Sequence, residues 1–262
     1  MGRIFSIMSG KGGVGKSTLA AALAEYYARQ GKQVILLDGD IGLRCADLML
    51  GMQDRVMYDL GDVAEKNCEL DQALIQHGAL PTLFLMAAPQ MMLVSDIKGK
   101  RIGRIIDALG EKAEIVLLDA PAGMGKGLKN LLGTTATPVI VATPDDVCLR
   151  DAERLAGYLA QMEEPRPGIV FNRVREKLVR RGEMKTPEAM ARMLDLELMG
   201  AVPESEKLYR ALLRGESPLM CGDKGVFKAV EVIAARLLGA DAPLKQYRSS
   251  PILQFFSRRG EA

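Results

Sequence analysis

Residues 10 to 17 read Gly-Lys-Gly-Gly-Val-Gly-Lys-Ser, and that spacing of glycines, lysine and hydroxyl has the chemistry of a phosphate cradle. A G-x-x-x-x-G-K-[ST] segment turns backbone N–H groups inward around phosphate oxygens, sends its lysine to the β and γ phosphates and offers its hydroxyl to Mg²⁺. Gly10, Gly12, Gly13, Val14 and Gly15 supply the cradle, Lys16 and Ser17 fill the two side-chain roles, and Thr18 follows directly. The octapeptide also carries a second lysine, Lys11, that the cradle itself does not require.

Carboxylates stand where such a cradle needs them. Ile115-Val-Leu-Leu-Asp119 is an apolar strand ending in an acid, the position from which a phosphate-binding protein holds Mg²⁺ directly or through water. Val34-Ile-Leu-Leu-Asp38-Gly-Asp40 repeats the arrangement one strand earlier. Two carboxylates that close together are costly to bury, so Asp38 or Asp40 is expected to face the metal or an attacking water. For Asp38 a cap or turn role stays open.

The elements that position these groups are legible as a pattern. Arg3 to Met8 forms a short apolar strand ahead of the cradle, and Thr18 to Gln30 has alanine and leucine at helical spacing behind it. That order points a helix N-terminus at the phosphates. Further strands are expected at Val34 to Asp38, Leu83 to Ala87, Ile115 to Asp119, Val139 to Thr143, Gly168 to Asn172 and Leu198 to Val202. Strands apolar on both faces and alternating with helices predict an α/β fold with a doubly wound, mostly parallel sheet. Ligands of such sheets sit beyond the carboxyl ends of the strands, where Asp38, Asp40, Asp119 and Asn172 fall.

Composition narrows the class. The 262 residues are 48% hydrophobic, and 35 basic residues nearly balance 33 acidic ones, so net charge gives no argument for nucleic acid. Cys45, Cys68, Cys148 and Cys221 show no C-x-x-C spacing, which argues against a zinc or iron–sulfur site. No signal peptide or long apolar span is evident, so a cytoplasmic chain is expected. His77, the single histidine, reads as a solvated loop residue, and the six basic residues between Arg173 and Lys185 read as a charged helix face.

The motif with Lys11 ahead of Lys16 resembles the deviant Walker A segment of the MinD/ParA group of ATPases. Asp40-Ile-Gly-Leu-Arg-Cys-Ala-Asp-Leu-Met-Leu-Gly51 is similar to the switch of the MinD branch, and matches at Ala87-Ala-Pro-Gln90, Asp119-Ala-Pro-Ala-Gly123, Phe171-Asn-Arg-Val174 and Gly215-Glu-Ser-Pro218 extend the likeness along most of the chain. The resemblance implies an ATP- and Mg²⁺-dependent homodimer that regulates placement of the division septum, with a MinC-like inhibitor and a MinE-like activator as partners. It implies that Lys11 reaches the phosphates of the partner subunit, that Lys16, Ser17 and Thr18 serve the nucleotide in cis, that Asp40 orients the attacking water, and that Asn172 and the loop at Pro203 hold adenine. Ser17, Asp38 and Asp119 form the expected metal set. A lysine five residues before the cradle lysine cannot readily reach the same phosphate from a loop already wrapped around it, so a role in trans, like an arginine finger, is physically reasonable.

Two departures stand out. Cys45 occupies a position where the MinD switch usually has Asn, and Gly125-Lys126 replaces a stretch that commonly begins with Glu. A partitioning ATPase acting on DNA, a flagellar-placement ATPase and an iron–sulfur carrier of the same fold are the alternatives. Salt-sensitive DNA binding would mark the first, and cysteines around a dimer axis the last.

The C-terminus carries the other expectation. Residues 1–240 read as the ATPase domain, 241–250 as a linker and 251–262 as a short amphipathic helix. Ser250 and Pro251 suit its start, Ile252, Leu253, Phe255 and Phe256 share one side, and Arg258 and Arg259 suit anionic head groups. Such a segment is too short to span a bilayer and suited to lie in its interface, at roughly 3 to 6 kcal/mol per tail. Two tails on one dimer would bind about 10² to 10⁴ times more tightly than one.

Overall fold

A computed structural model describes residues 1–41, 44–90 and 99–247. Its strands are β1 (Arg3–Met8), β2 (Val34–Asp38), β3 (Ile75–Gln76), β4 (Leu83–Met86), β5 (Ile115–Asp119), β6 (Thr137–Ala142), β7 (Gly168–Val174) and β8 (Glu197–Pro203). They form one sheet in the order β3-β4-β2-β5-β1-β6-β7-β8. Every pairing is parallel except that of β3 with β4. β2 and β5 are buried along their whole length, as strands covered on both faces must be. The strand order reverses about β1 and β5, and the phosphate loop leaves β1 at that switch point.

The helices are α1 (Lys16–Arg29), α2 (Ala46–Met49), α3 (Leu60–Glu65), α4 (Gly99–Lys112), α5 (Lys126–Lys129), α6 (Asp146–Gln161), α7 (Glu176–Arg181), α8 (Pro187–Met193), α9 (Glu206–Leu213) and α10 (Lys224–Leu237). Ala and Leu give α1 strong intrinsic propensity, and small side chains let it lie between the sheet and α10 with most of its surface buried. The Tyr27 hydroxyl donates to the Ala234 carbonyl at 2.8 Å, satisfying the polar end of a buried ring and joining α1 to α10. α3 starts with a capping box between Asp59 and Asp62, and α6 starts with Asp145 accepting from the Cys148 N–H. None of the described helices is long and apolar enough to cross a membrane.

Each of the seven expected strands is present, those at Arg3 to Met8, Val34 to Asp38 and Ile115 to Asp119 with the expected ends and the others within two residues of them. β3 is a difference: two residues at the sheet edge carry no periodicity from which a strand could be read. His77, just after it, is half-buried and not simply solvated. Its Nδ1 accepts from the Ala79 and Leu80 backbone N–H groups and closes the turn into β4, and burial pulls its pKa down.

The stretch expected to be a linker is laid against the domain as far as it is described. Arg236 donates to the Ala242 carbonyl at 3.2 Å, Lys245 pairs with Glu176 at 2.7 Å, and Tyr247 is buried. Leu244 and Tyr247 close one side of an apolar cavity of about 420 Å³ against Leu198, Ala201 and Val232. The amphipathic segment expected at 251–262, with Ile252, Leu253, Phe255, Phe256, Arg258 and Arg259, lies outside the described residues.

Candidate functional site

The phosphate loop is held from beneath by backbone and side-chain hydrogen bonds. The Ser9 hydroxyl donates to the Lys11 carbonyl at 2.9 Å, and the Gly123 N–H donates to the Ser9 carbonyl at 2.9 Å, tying the turn after β5 to the loop after β1. Gly15 has φ of 92°, and a Cβ there would lie 2.2 Å from Asn172 Nδ2, so both conformation and space demand glycine. Asn172 Nδ2 donates to the Val14 carbonyl at 2.8 Å while its Oδ1 accepts from the Arg173 N–H at 2.9 Å. Arg173 adopts φ of 59°, which turns the chain out of β7. Asn172 therefore braces the loop from β7, two strands away from β1, as well as standing at the carboxyl end of the sheet.

Asp119 and Asp40 face Lys16, and Asp38 stands beside Asp119. β2 and β5 pair with Asp38 opposite Asp119, so two carboxylates end adjacent parallel strands. Lys16 Nζ lies 2.6 Å from Asp119 Oδ1, with 6% and 1% of the two side chains exposed, and 3.3 Å from the Ser17 hydroxyl. Asp119 Oδ2 is buried and has no hydrogen-bond partner. A buried carboxylate oxygen without a donor costs on the order of 1–3 kcal/mol or more. Together with the Ser17 hydroxyl it fits the oxygen donor set of a hard divalent cation. Among the described residues no cluster of three or more His, Cys, Asp or Glu side chains could hold a metal by itself, so a cation here also needs phosphate or water oxygens.

Asp38 is differently engaged. Its Oδ1 accepts from the Asp40 N–H at 3.0 Å, and its Oδ2 accepts from the Cys45 and Ala46 N–H groups at 2.9 and 3.0 Å. Burial first, and then the charge on Asp119, push its pKa up to about 6, against the pull of those three donors. Of the two carboxylates expected around the metal, Asp119 is the one with a free oxygen, while Asp38 organises the switch that follows it. Cys45 contributes to this through its backbone N–H. Asp40 is half-buried beside the same groups. Burial raises its pKa and the Lys16 charge draws it back.

Lys11 has its partner outside the loop. Its Nζ lies 3.9 Å from Asp145 Oδ1 at the start of α6, in a pair about half exposed on both sides. Lys126, at the Gly125-Lys126 departure, opens α5 and is exposed.

Beside the phosphate loop a cavity of about 600 Å³ opens between Gly15, Thr18 and Asn172 on one side and Pro203 on the other. α9 supplies the remaining wall with Leu208, Tyr209 and Leu212, residues that the sequence reading did not include. Their spacing is that of one helix face, and Ser205, which accepts from the Leu208 N–H at 3.1 Å, is a recognisable N-cap. The basic run from Arg173 to Lys185 is largely neutralised: Arg175 pairs with Glu204, Arg180 with Glu176 and Lys185 with Asp146.

The family described as CobQ/CobB/MinD/ParA nucleotide binding domain matches residues 5–219. The Septum site-determining protein MinD of Bacillus subtilis is 36% identical over 248 residues, covering 94% of this chain and 92% of that protein. Among solved structures, MinD in the MinC:MinD cell division protein complex of Aquifex aeolicus superposes with a TM-score of 0.86 at 32% identity, covering 94% of this chain and 99% of that one. The septum site-determining protein MinD of Pyrococcus horikoshii, solved with Mg-ADP, gives 0.78 at 25% identity, covering 90% and 96%.

Proposed function

The chain belongs to the MinD family of nucleotide-binding proteins and is an ATPase, and from that premise we propose that it regulates septum placement through a cycle in which ATP joins two copies and hydrolysis separates them. The observation that carries this reading is the position of the Lys11 side chain, which is exposed and lies beside Asp145 at the start of α6 and not in the buried cluster around Lys16. A cation placed there serves a second copy docked face to face. It supplies positive charge to the phosphoryl-transfer transition state only when the dimer is formed.

Within one chain the geometry supports the following roles. Gly10 to Thr18 cradle the phosphates, with backbone N–H groups and the start of α1 directed at negative charge. Lys16 exchanges Asp119 for the β and γ phosphates as the nucleotide enters. Ser17 and Asp119 would hold Mg²⁺, which would supply positive charge to the transferred group. Asp40, beside Lys16, orients the attacking water. Asn172 and Pro203 hold adenine in the cavity walled by α9. The C-terminal segment would lie in an anionic membrane surface, so that dimer formation sets membrane residence through two tails. A MinC-like inhibitor bound to the ATP dimer, as the Aquifex relative binds MinC, would carry the spatial signal, and a MinE-like activator would end it.

Sedimentation of the full chain with ATP and with ADP, alongside Lys11→Ala, tests the central step. ATP should dimerise the wild type and ADP should not, while K11A should bind ATP as a monomer and lose at least about 10²-fold in dimer-dependent hydrolysis. A K11A protein with wild-type turnover would overturn the reading.

A further inference from the structure

Glu25 is a buried carboxylate that neither the phosphates nor the metal set accounts for. It sits on α1 with 2% of its surface exposed. Its Oε2 accepts from the Leu219 backbone N–H at 3.1 Å, and the Ser217 hydroxyl also bonds to it. Both partners belong to the short turn that includes Pro218–Cys221 and follows α9. Burial raises the pKa of Glu25, and its two hydrogen bonds and the charge of Arg29 lower it, so the carboxylate is held against its desolvation by that turn.

The turn matters because α9 has little packing of its own. Among its residues only Ala211 is fully buried. Its place is set by its two ends. At the N-terminus Ser205 caps α9 and donates at 2.6 Å to Asp223, which in turn caps α10 through the Gly225 and Val226 N–H groups. At the C-terminus Gly215 and Glu216 donate back to Leu212 and Ala211, and the chain then runs directly into the turn that Glu25 holds. Between these anchors lie Leu208, Tyr209 and Leu212, the wall of the cavity beside the phosphate loop.

We propose that Glu25 is a positioning residue for the nucleotide base: from inside α1 it fixes the turn at Ser217 to Leu219, and so the height of the α9 wall against the ring. This rests on the reading of that cavity as the base site. The same helix that presents Lys16 to the phosphates holds Glu25 nine residues further on, about 14 Å along its axis. α1 thereby sets the distance between the phosphate end and the base end of one ligand.

The test compares ATP with inorganic tripolyphosphate, which carries the phosphates and no base, as ligands of the full chain. Glu25→Leu removes both acceptors at similar volume, and Ser217→Ala removes one hydrogen bond from a half-exposed position where folding is less at risk. Glu25→Gln keeps an oxygen for Leu219 and lets the Ser217 hydroxyl reverse its bond. E25L should weaken ATP by about tenfold or more and leave tripolyphosphate within about twofold, S217A should show the same pattern more weakly, and E25Q should restore ATP to within about threefold. ATP binding unchanged in E25L and S217A, or ATP and tripolyphosphate weakened equally, would overturn the proposal. A wild-type protein that binds the two ligands equally would remove the base site itself, and the positioning role with it.

Discussion

Replacing Asp119 with Asn takes one charge from the buried group formed with Lys16 and Asp38 while keeping its shape. In the folded protein Asp119 Oδ1 is already paired with Lys16 at 2.6 Å, and Asn offers the same atom to the same lysine. The loss falls on Oδ2, which is buried without a partner and becomes an amide N–H₂ that repels a cation. An unsatisfied buried acceptor of this kind costs about 1–3 kcal/mol, which Mg²⁺ relieves on binding, so the oxygen should contribute about 5- to 150-fold to the tightening of ATP by Mg²⁺. Titration of a fluorescent ATP analogue with and without Mg²⁺ reads this ratio directly. D119N should bind the analogue in the absence of Mg²⁺ at least as well as wild type, because a negative charge beside the phosphates has gone, and should show little further tightening when Mg²⁺ is added. A D119N protein with the full wild-type Mg²⁺ effect would refute the assignment and return Asp38 to the metal.

Gly15→Ala should abolish nucleotide binding, since its Cβ meets Asn172 at 2.2 Å and its φ of 92° is strained for alanine; wild-type affinity in a binding titration would contradict the packing described. Asp38 gives a pH dependence. Its carboxyl holds a proton more tightly in the folded chain, at about 6, than at its ordinary value of 3.8, so its stabilising contribution is complete below about 3.8 and is lost as pH rises through about 6. Wild type should therefore gain thermal stability relative to Asp38→Asn as pH falls from about 7.5 to about 5, and a difference independent of pH would count against the buried pair.

What could be read from the sequence was local. Glycine spacing, apolar strands and the acids that end them are properties of short windows, and they led to the cradle, the parallel sheet and the carboxylates at its edge. Lys16 meeting Asp119 and Glu25 meeting Leu219 join residues 103 and 194 positions apart, and nothing in a window around either reports its partner. Asp38 shows the same limit from another side. An acid at a strand end is equally suited to a metal and to a turn, and only the three N–H groups brought to it by the following loop distinguish them. The α9 wall was missed because Leu208, Tyr209 and Leu212 look like ordinary helix residues until the sheet places them beside Gly15 and Asn172. The segment after Gly239 reads as a linker by composition, yet Tyr247 is buried, since one aromatic ring outweighs the polar residues around it.

Because Tyr247 is packed on the domain, a chain truncated after it keeps the fold described here and lacks only the apolar C-terminal segment. Co-sedimentation of the full and truncated chains with anionic liposomes, in ATP·Mg²⁺ and in ADP·Mg²⁺, tests the ATP-switched membrane cycle most directly. The account predicts that only the full chain in ATP·Mg²⁺ pellets with the lipid. Equal recovery in all four tubes would contradict it, and ATP-dependent, salt-sensitive retention on DNA in its place would move the chain to the partitioning class.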